Sequence, residues 1–80
     1  DRPTGDDTER IADRRATAVL LRHAIDGLPG GLRLAFVLRD VEGLSTQEVA
    51  TTLGIGESAA KMRVARAREQ LRQALAGALS

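Results

Sequence analysis

Residues 44–72, LSTQEVATTLGIGESAAKMRVARAREQLR, decide the fold. Ser45 followed three residues later by Glu48 is an S-x-x-E capping box, in which serine and glutamate side chains satisfy backbone N–H groups at a helix start. The helix that follows buries Val49, Ala50 and Leu53, and Gly54 stops it. A Gly54-Ile55-Gly56 turn then leads into a longer helix carrying Lys61, Arg63, Arg66, Arg68 and Arg72. Two helices joined by a short glycine turn make a helix-turn-helix, the arrangement that places its second helix in a DNA groove.

The second helix has two distinct faces. At about 100° per residue, Ala60, Val64, Ala67, Leu71, Leu75 and Ala78 fall within about 80° of one another, an apolar stripe for a core. Ser58, Met62, Ala65, Arg66 and Glu69 lie opposite, with Ala59 towards one edge. Lys61 and Arg68 flank the stripe on one side and Arg63 on the other. The outward face near the helix start therefore carries small or flexible side chains that can approach base edges. The cations at its margins can reach phosphates on both groove walls. A helix facing only solvent would more usually carry Glu and Lys at positions 58, 59 and 62.

Charge is distributed to match. Residues 1–50 hold nine acids and seven bases, and residues 51–80 hold two acids and five bases, so a net charge of +1 divides into −2 and +3. All five of those bases fall between positions 61 and 72. A charge run is most often a solvated helix face. A basic stripe directly after a helix-turn-helix turn is instead the electrostatic footprint of a nucleic-acid binder.

Upstream, the pattern predicts two further helices, giving an all-α, four-helix compact domain with the helix-turn-helix at its C-terminal end. Residues 1–5 read as a polar lead-in and linker remnant, and residues 6–80 as the domain. Asp6 with Glu9 predicts a second capping pair. Helix 1 then runs to about Asp26 with Ile11, Val19, Leu20 and Ile25 as apolar positions. Gly27-Leu28-Pro29-Gly30-Gly31 is a turn, since it lacks the Lys and Ser/Thr of a phosphate loop and follows no strand. Helix 2 spans about Gly31 to Val41, with Leu32, Ala35, Phe36, Leu38 and Val41 at helical spacing. Gly43 supplies its left-handed cap. Phe36, the one aromatic, is expected to be the main core plug, buried with Leu71 against helices 1 and 3.

Eighty residues make one small domain, without Cys and so without a disulfide framework. No apolar run approaches the ~20 residues of a membrane span, which fits a cytoplasmic protein. The chain opens Asp1-Arg2-Pro3 without an initiator Met, as a fragment of a longer protein would. The single His23 falls mid-helix, where it reads as a packed or half-exposed side chain. No nucleophile-base set or carboxylate pair recurs at helical spacing, so the reading is not an enzyme, and it calls for no cofactor or metal.

Leu28-Pro29, Arg33, Phe36, Leu38-Arg39, Glu42-Gly43-Leu44-Ser45, Glu48-Val49-Ala50, Leu53-Gly54 and Lys61-x-Arg63-x-x-Arg66-Ala67-Arg68 together resemble region 4 of bacterial RNA polymerase sigma factors, the extracytoplasmic-function group above all. The resemblance covers about residues 28–75. It implies a helical domain that docks the minus-35 element of double-stranded promoter DNA while gripping the flap of RNA polymerase core. It also implies an anti-sigma protein, or the factor's own other domains, as a cover. Carried over by position, Lys61, Met62, Arg63 and Arg66 would face the major groove, with Ser58 and Ala59 at the leading end of that helix. Arg39, Thr46, Gln47 and Arg68 would meet phosphates, helped by free N–H groups after Ser45. Gly56 stands where the family commonly has Pro. Glu57-Ser58-Ala59-Ala60 replaces the common hydrophobe-Gly-Thr-Val, and Met62 replaces a small polar residue. Ala59 and Met62 cannot hydrogen-bond bases, which shifts weight to shape readout.

Two other readings are open on the residues. One is the DNA-binding domain of a response-regulator-type transcription factor, which shares the E-G-L-S/T-x-x-E core but usually lacks the R-x-x-R-A-R ending. The other is a protein-interaction module captured by an anti-sigma protein.

Overall fold

In the computed structural model residues 4–79 are described, with their side chains from Glu9 to Ala78. Four α-helices follow one another with no strand among the described residues: α1 (Thr4–Asp26), α2 (Gly30–Phe36), α3 (Thr46–Leu53) and α4 (Glu57–Leu79). The all-α helix-turn-helix expectation therefore holds. α1 starts at Thr4, so Thr4 and Gly5 are already helical. The Asp6–Glu9 cap rests on a side chain outside the described residues.

α2 does not continue as an α-helix to Val41. It passes into one π-helical turn over Val37–Val41, with the Glu42 N–H donating to the Val37 carbonyl at 2.8 Å. Gly43, at φ 82°, then reverses the chain, and the Leu44 N–H donates to the Leu38 carbonyl at 2.9 Å. A turn of this kind admits one extra residue and re-aims the side chains that follow, a shift that a 3.6-residue periodicity does not register. The α1–α2 turn is closed from both sides. The Leu28 N–H donates to the Ile25 carbonyl at 3.0 Å, and Arg33 Nη1 donates to the Asp26 carbonyl at 3.0 Å, satisfying a group left over at the end of α1.

α4 is the helix on which α1, α2 and α3 each pack. Its stripe is shared between two clusters. Ala60 and Val64 meet Ala35, Val49 and Ala50, with Leu38, Leu44, Leu53 and Ile55 packed around them. Ala67 and Leu71 meet Leu28, with Ala24, Ile25, Leu32 and Phe36 at the margin. Four of the eight buried hydrophobic residues are alanines, which lets helix axes approach closely but leaves little apolar area per residue.

Several core expectations need correction. Phe36 is half-buried at the edge of the second cluster, not the plug of the domain, and Leu71 is buried against α1 and α2 rather than α3. Ala78 is exposed and Leu75 only half-buried, because α4 outruns its partners. On α1, Ile11 and Val19 are 51% and 66% exposed, and every residue from Glu9 to Val19 faces solvent. Val41 is likewise exposed, at the end of the π turn. The domain is accordingly elongated, measuring 52 × 28 × 14 Å with a radius of gyration of 15.9 Å. A ball of this length would have about 12 Å. α1 and α4 each have 23 residues, so each runs about 34 Å, past the ends of the shorter pair.

Leu71→Ala should cost about 2–5 kcal/mol of unfolding free energy, a large share of what so small a core supplies. Phe36→Ala should cost less than Leu71→Ala, because part of its ring is already in water. Urea denaturation of both variants measures this, and a larger loss for Phe36 would make the ring the plug after all.

Candidate nucleic-acid interface

The candidate surface is built on α3, its turn and the first half of α4. Ser45 opens α3 with a complete capping box. Its N–H donates to Glu48 Oε1 at 2.8 Å, and the Glu48 N–H donates to Ser45 Oγ at 3.1 Å. The hydrogen bond from the Ser45 backbone, followed by that with its side chain, holds the Glu48 carboxyl below its usual value against a small opposing effect of burial. α3 ends on Gly54 at φ 67°, where a side chain would be strained, and the Ile55 N–H reaches back to the Ala50 carbonyl at 3.0 Å. With Ile55 packed on the first cluster, this is a Schellman closure with its hydrophobic contact. The Ala60 N–H then donates to the Gly56 carbonyl at 3.0 Å and starts α4. Both ends of α3 and the start of α4 are thus pinned locally, and the cluster beneath fixes the angle between them.

This arrangement brings together seven of the ten residues expected to meet DNA. Ser58, Ala59, Lys61, Met62 and Arg66 are exposed on the first turns of α4, alongside Glu57 and Ala65. Gln47 is exposed and Thr46 half-buried at the start of α3. Lys61 and Arg66 make no ion pair among the described residues, so their charge is presented to solvent.

The other three are engaged within the domain. Arg39 is half-buried on the π turn, where its Nη1 donates to the Leu44 carbonyl at 3.1 Å and ties that turn to the loop before α3. Arg63 is half-buried on the side of α4 that meets α2. Its guanidinium lies over Gly31, so that a methyl group there would come within 3.3 Å of Nη1. Arg68 makes a bidentate pair with Asp40, Nε to Oδ2 at 2.7 Å and Nη2 to Oδ1 at 2.6 Å. Hydrogen bonding from Arg68 holds the Asp40 carboxyl below its ordinary value, opposed by partial burial and helped by the charges of Arg68 and Arg39. Arg39 and Arg68 would have to surrender a hydrogen bond to meet a phosphate, whereas Arg63 makes no hydrogen bond or ion pair among the described residues. Arg72, farther along, pairs with Glu69 at 2.6 Å in full solvent, an arrangement worth little.

Asp40 and Gly31 have no signal in the sequence pattern. Asp40 lies 28 residues from its partner, and helical periodicity ranks it only as a polar position. Among the described residues no group of three His, Cys, Asp or Glu is placed to hold a metal ion. No described helix is long and apolar enough to cross a membrane.

Comparison with known proteins agrees with the geometry. The family described as Sigma-70, region 4 matches residues 18–71. The chain is 46% identical over 56 residues to the ECF RNA polymerase sigma factor SigE of Mycolicibacterium smegmatis, covering 70% of this chain and 22% of that protein. It is 40% identical over 72 residues to the RNA polymerase sigma factor SigZ of Bacillus subtilis, covering 90% of this chain and 41% of that one. Against the ECF RNA polymerase sigma factor SigM of Mycobacterium tuberculosis the figures are 38% over 73 residues, with 88% and 37% covered. The chain thus spans well under half the length of these relatives.

Two consequences for stability follow from the local bonds. Ser45→Ala should cost about 1 kcal/mol, the usual loss of a side-chain N-cap. Asp40 and Glu48 have lowered folded-state values, so each contributes stability that is present above its ordinary value, 3.8 and 4.5, and lost as pH falls through the lowered one. Helical circular dichroism followed through an acid titration should show this loss, and Asp40→Asn should flatten its Asp40 component. A profile unchanged in Asp40→Asn would mean that the Arg68 pair adds nothing to the fold in solution.

Proposed function

Because this chain belongs to the sigma-70 region 4 family, we propose that it recognises the minus-35 element of promoters as the DNA-docking domain of an alternative sigma factor of the extracytoplasmic-function type. The observation that carries the reading is the outward face of the first turns of α4. There Ser58, Ala59, Lys61, Met62 and Arg66 stand free on a helix whose angle to α3 is fixed by the capping box and the Gly54 turn. A helix of this width enters the major groove end-on, its first residues closest to the bases.

The roles then divide by chemistry. Ser58 can donate to or accept from a base edge. Ala59 and Met62 provide apolar contact of the kind a thymine methyl accepts. Lys61 and Arg66 neutralise phosphates on the two groove walls, while Thr46, Gln47 and the open N–H groups at the start of α3 meet the backbone beyond. Arg39 and Arg68 fix the geometry of this face, while Arg63, half-buried at the margin of α4 and without an ion pair among the described residues, keeps its charge for the groove.

RNA polymerase core, through its flap, is the proposed protein partner, in keeping with the family and with the relatives' names. Leu34 and Val41, 54% and 61% exposed on α2 and the π turn, offer apolar surface for it on a helix other than α4. The family is not an enzyme family, and nothing in this proposal involves catalysis. The match and the relatives support the sigma reading over the response-regulator one.

Binding to a promoter duplex across a range of salt tests the docking. Arg66→Ala should weaken binding and reduce the slope of log K against log salt by about 0.9, the value of one phosphate contact. Arg22→Ala, on α1, should leave both unchanged, and equal effects from the two would sink the model. A cover such as an anti-sigma protein should compete with DNA for the same face, with Arg66→Glu abolishing DNA binding and weakening an acidic cover as well. Simultaneous binding of DNA and cover to the wild-type chain would move the cover to α1 and α2.

A further inference from the structure

Resting on the DNA-docking reading, we propose that Asp40 withholds Arg68 from DNA, its carboxylate standing where a phosphate would otherwise be gripped, so that this domain binds duplex DNA with one cation fewer than α4 carries.

Arg68 lies on the same flank of α4 as Lys61, seven residues and two turns farther along, or about 10 Å along the axis. Lys61 is unpaired among the described residues and Arg68 is not, although both are exposed. The Arg68 side chain is 46% exposed, so its guanidinium is at the surface and is held there by its partner alone rather than by burial. That partner binds it through two short, parallel contacts, the fork geometry by which arginine also grips a phosphate.

The carboxylate is not free to leave. Asp40 belongs to the π turn Val37–Val41, and that turn is fastened at both sides of it, by Arg39 donating to the Leu44 carbonyl and by the Leu44 N–H donating to the Leu38 carbonyl. The Asp40 side chain is only 25% exposed, which limits its escape into water. Exchanging Asp40 for a phosphate would swap one anion for another and strand the carboxylate beside a second negative charge. Arg68 therefore brings no net attraction to the DNA. The result is a domain whose own hold on DNA is set low, so that full occupancy of its site depends on a second attachment.

The slope of log K against log salt separates this from a purely structural pair, because a structural tie has no effect on the number of phosphates neutralised. We would titrate a short duplex of random sequence and one promoter duplex with the full chain as wild type, Asp40→Asn, Arg68→Ala and the double variant, after checking helicity of each. A pair this close to the surface adds only modestly to folding, so the variants should remain folded. Asp40→Asn should steepen the slope by about 0.9, which adds about 3-fold to the loss of affinity between 50 and 200 mM salt, on both duplexes alike. Arg68→Ala should keep the wild-type slope, and the double variant should return to it. If Arg68→Ala alone flattens the slope by about 0.9, Arg68 already holds a phosphate in the complex and the inference is overturned. This arm does not depend on Asp40→Asn folding. An unchanged slope in folded Asp40→Asn overturns it equally. A wild-type chain with no salt-dependent binding to either duplex would remove the docking reading beneath it as well.

Discussion

One stripe of side chains on α4 holds the molecule together. Ala60, Val64, Ala67 and Leu71 are each buried, and α1, α2 and α3 each pack on that helix. The first two of these residues set the helix-turn-helix against α2 and α3, and the last two anchor the turn from α1 and the base of α2. The helix that presents cations to solvent on one side is thus the same rod that carries the core on the other. Reading surface and core cannot be adjusted independently, because a rotation of α4 to improve one would expose the other.

The parts of this fold legible in the sequence are those governed by neighbours a few residues apart. The Ser45–Glu48 box, the left-handed Gly43 and Gly54, and the buried positions 60, 64, 67 and 71 all follow from local hydrogen bonding or a 3.6-residue period, and all are found. What escaped depends on distance or on departure from that period. Apolar spacing on α1 suggested burial of Ile11 and Val19, but no other element covers them. Phe36 seemed the natural plug because it is the largest apolar residue. The buried centre of its cluster is instead Leu28, Ala67 and Leu71, and the ring packs at the rim. The π turn breaks the periodicity from which helix 2 was extended, and so the aim of Arg39 and Asp40 was not foreseeable.

The cations show the same division. Composition and spacing marked Lys61, Arg63, Arg66 and Arg68 as one basic stripe, and the fold separates them by what each can reach. Arg68 is paired with Asp40, Arg63 lies half-buried beside Gly31 with its charge unpaired among the described residues, and Lys61 and Arg66 stand exposed. Formal charge therefore overstates the field offered to a polyanion. Counting arginines along a recognition helix measures capacity, and only the partners on neighbouring elements show how much of it is in use.

The prevalence of alanine in the core also decides which kind of sequence change this domain can absorb. Where interiors are built from large side chains, the usual injury is a void left by truncation. Here Ala35, Ala60 and Ala67 are fully enclosed and already at the lower limit of size, with helix backbones close on every side. Added carbon has nowhere to go without pushing helices apart, and forcing it in typically costs about 1–3 kcal/mol. The interior is thus closed to enlargement, while side chains on the outward face of α4, where no neighbour constrains volume, can change in size without disturbing the packing beneath them.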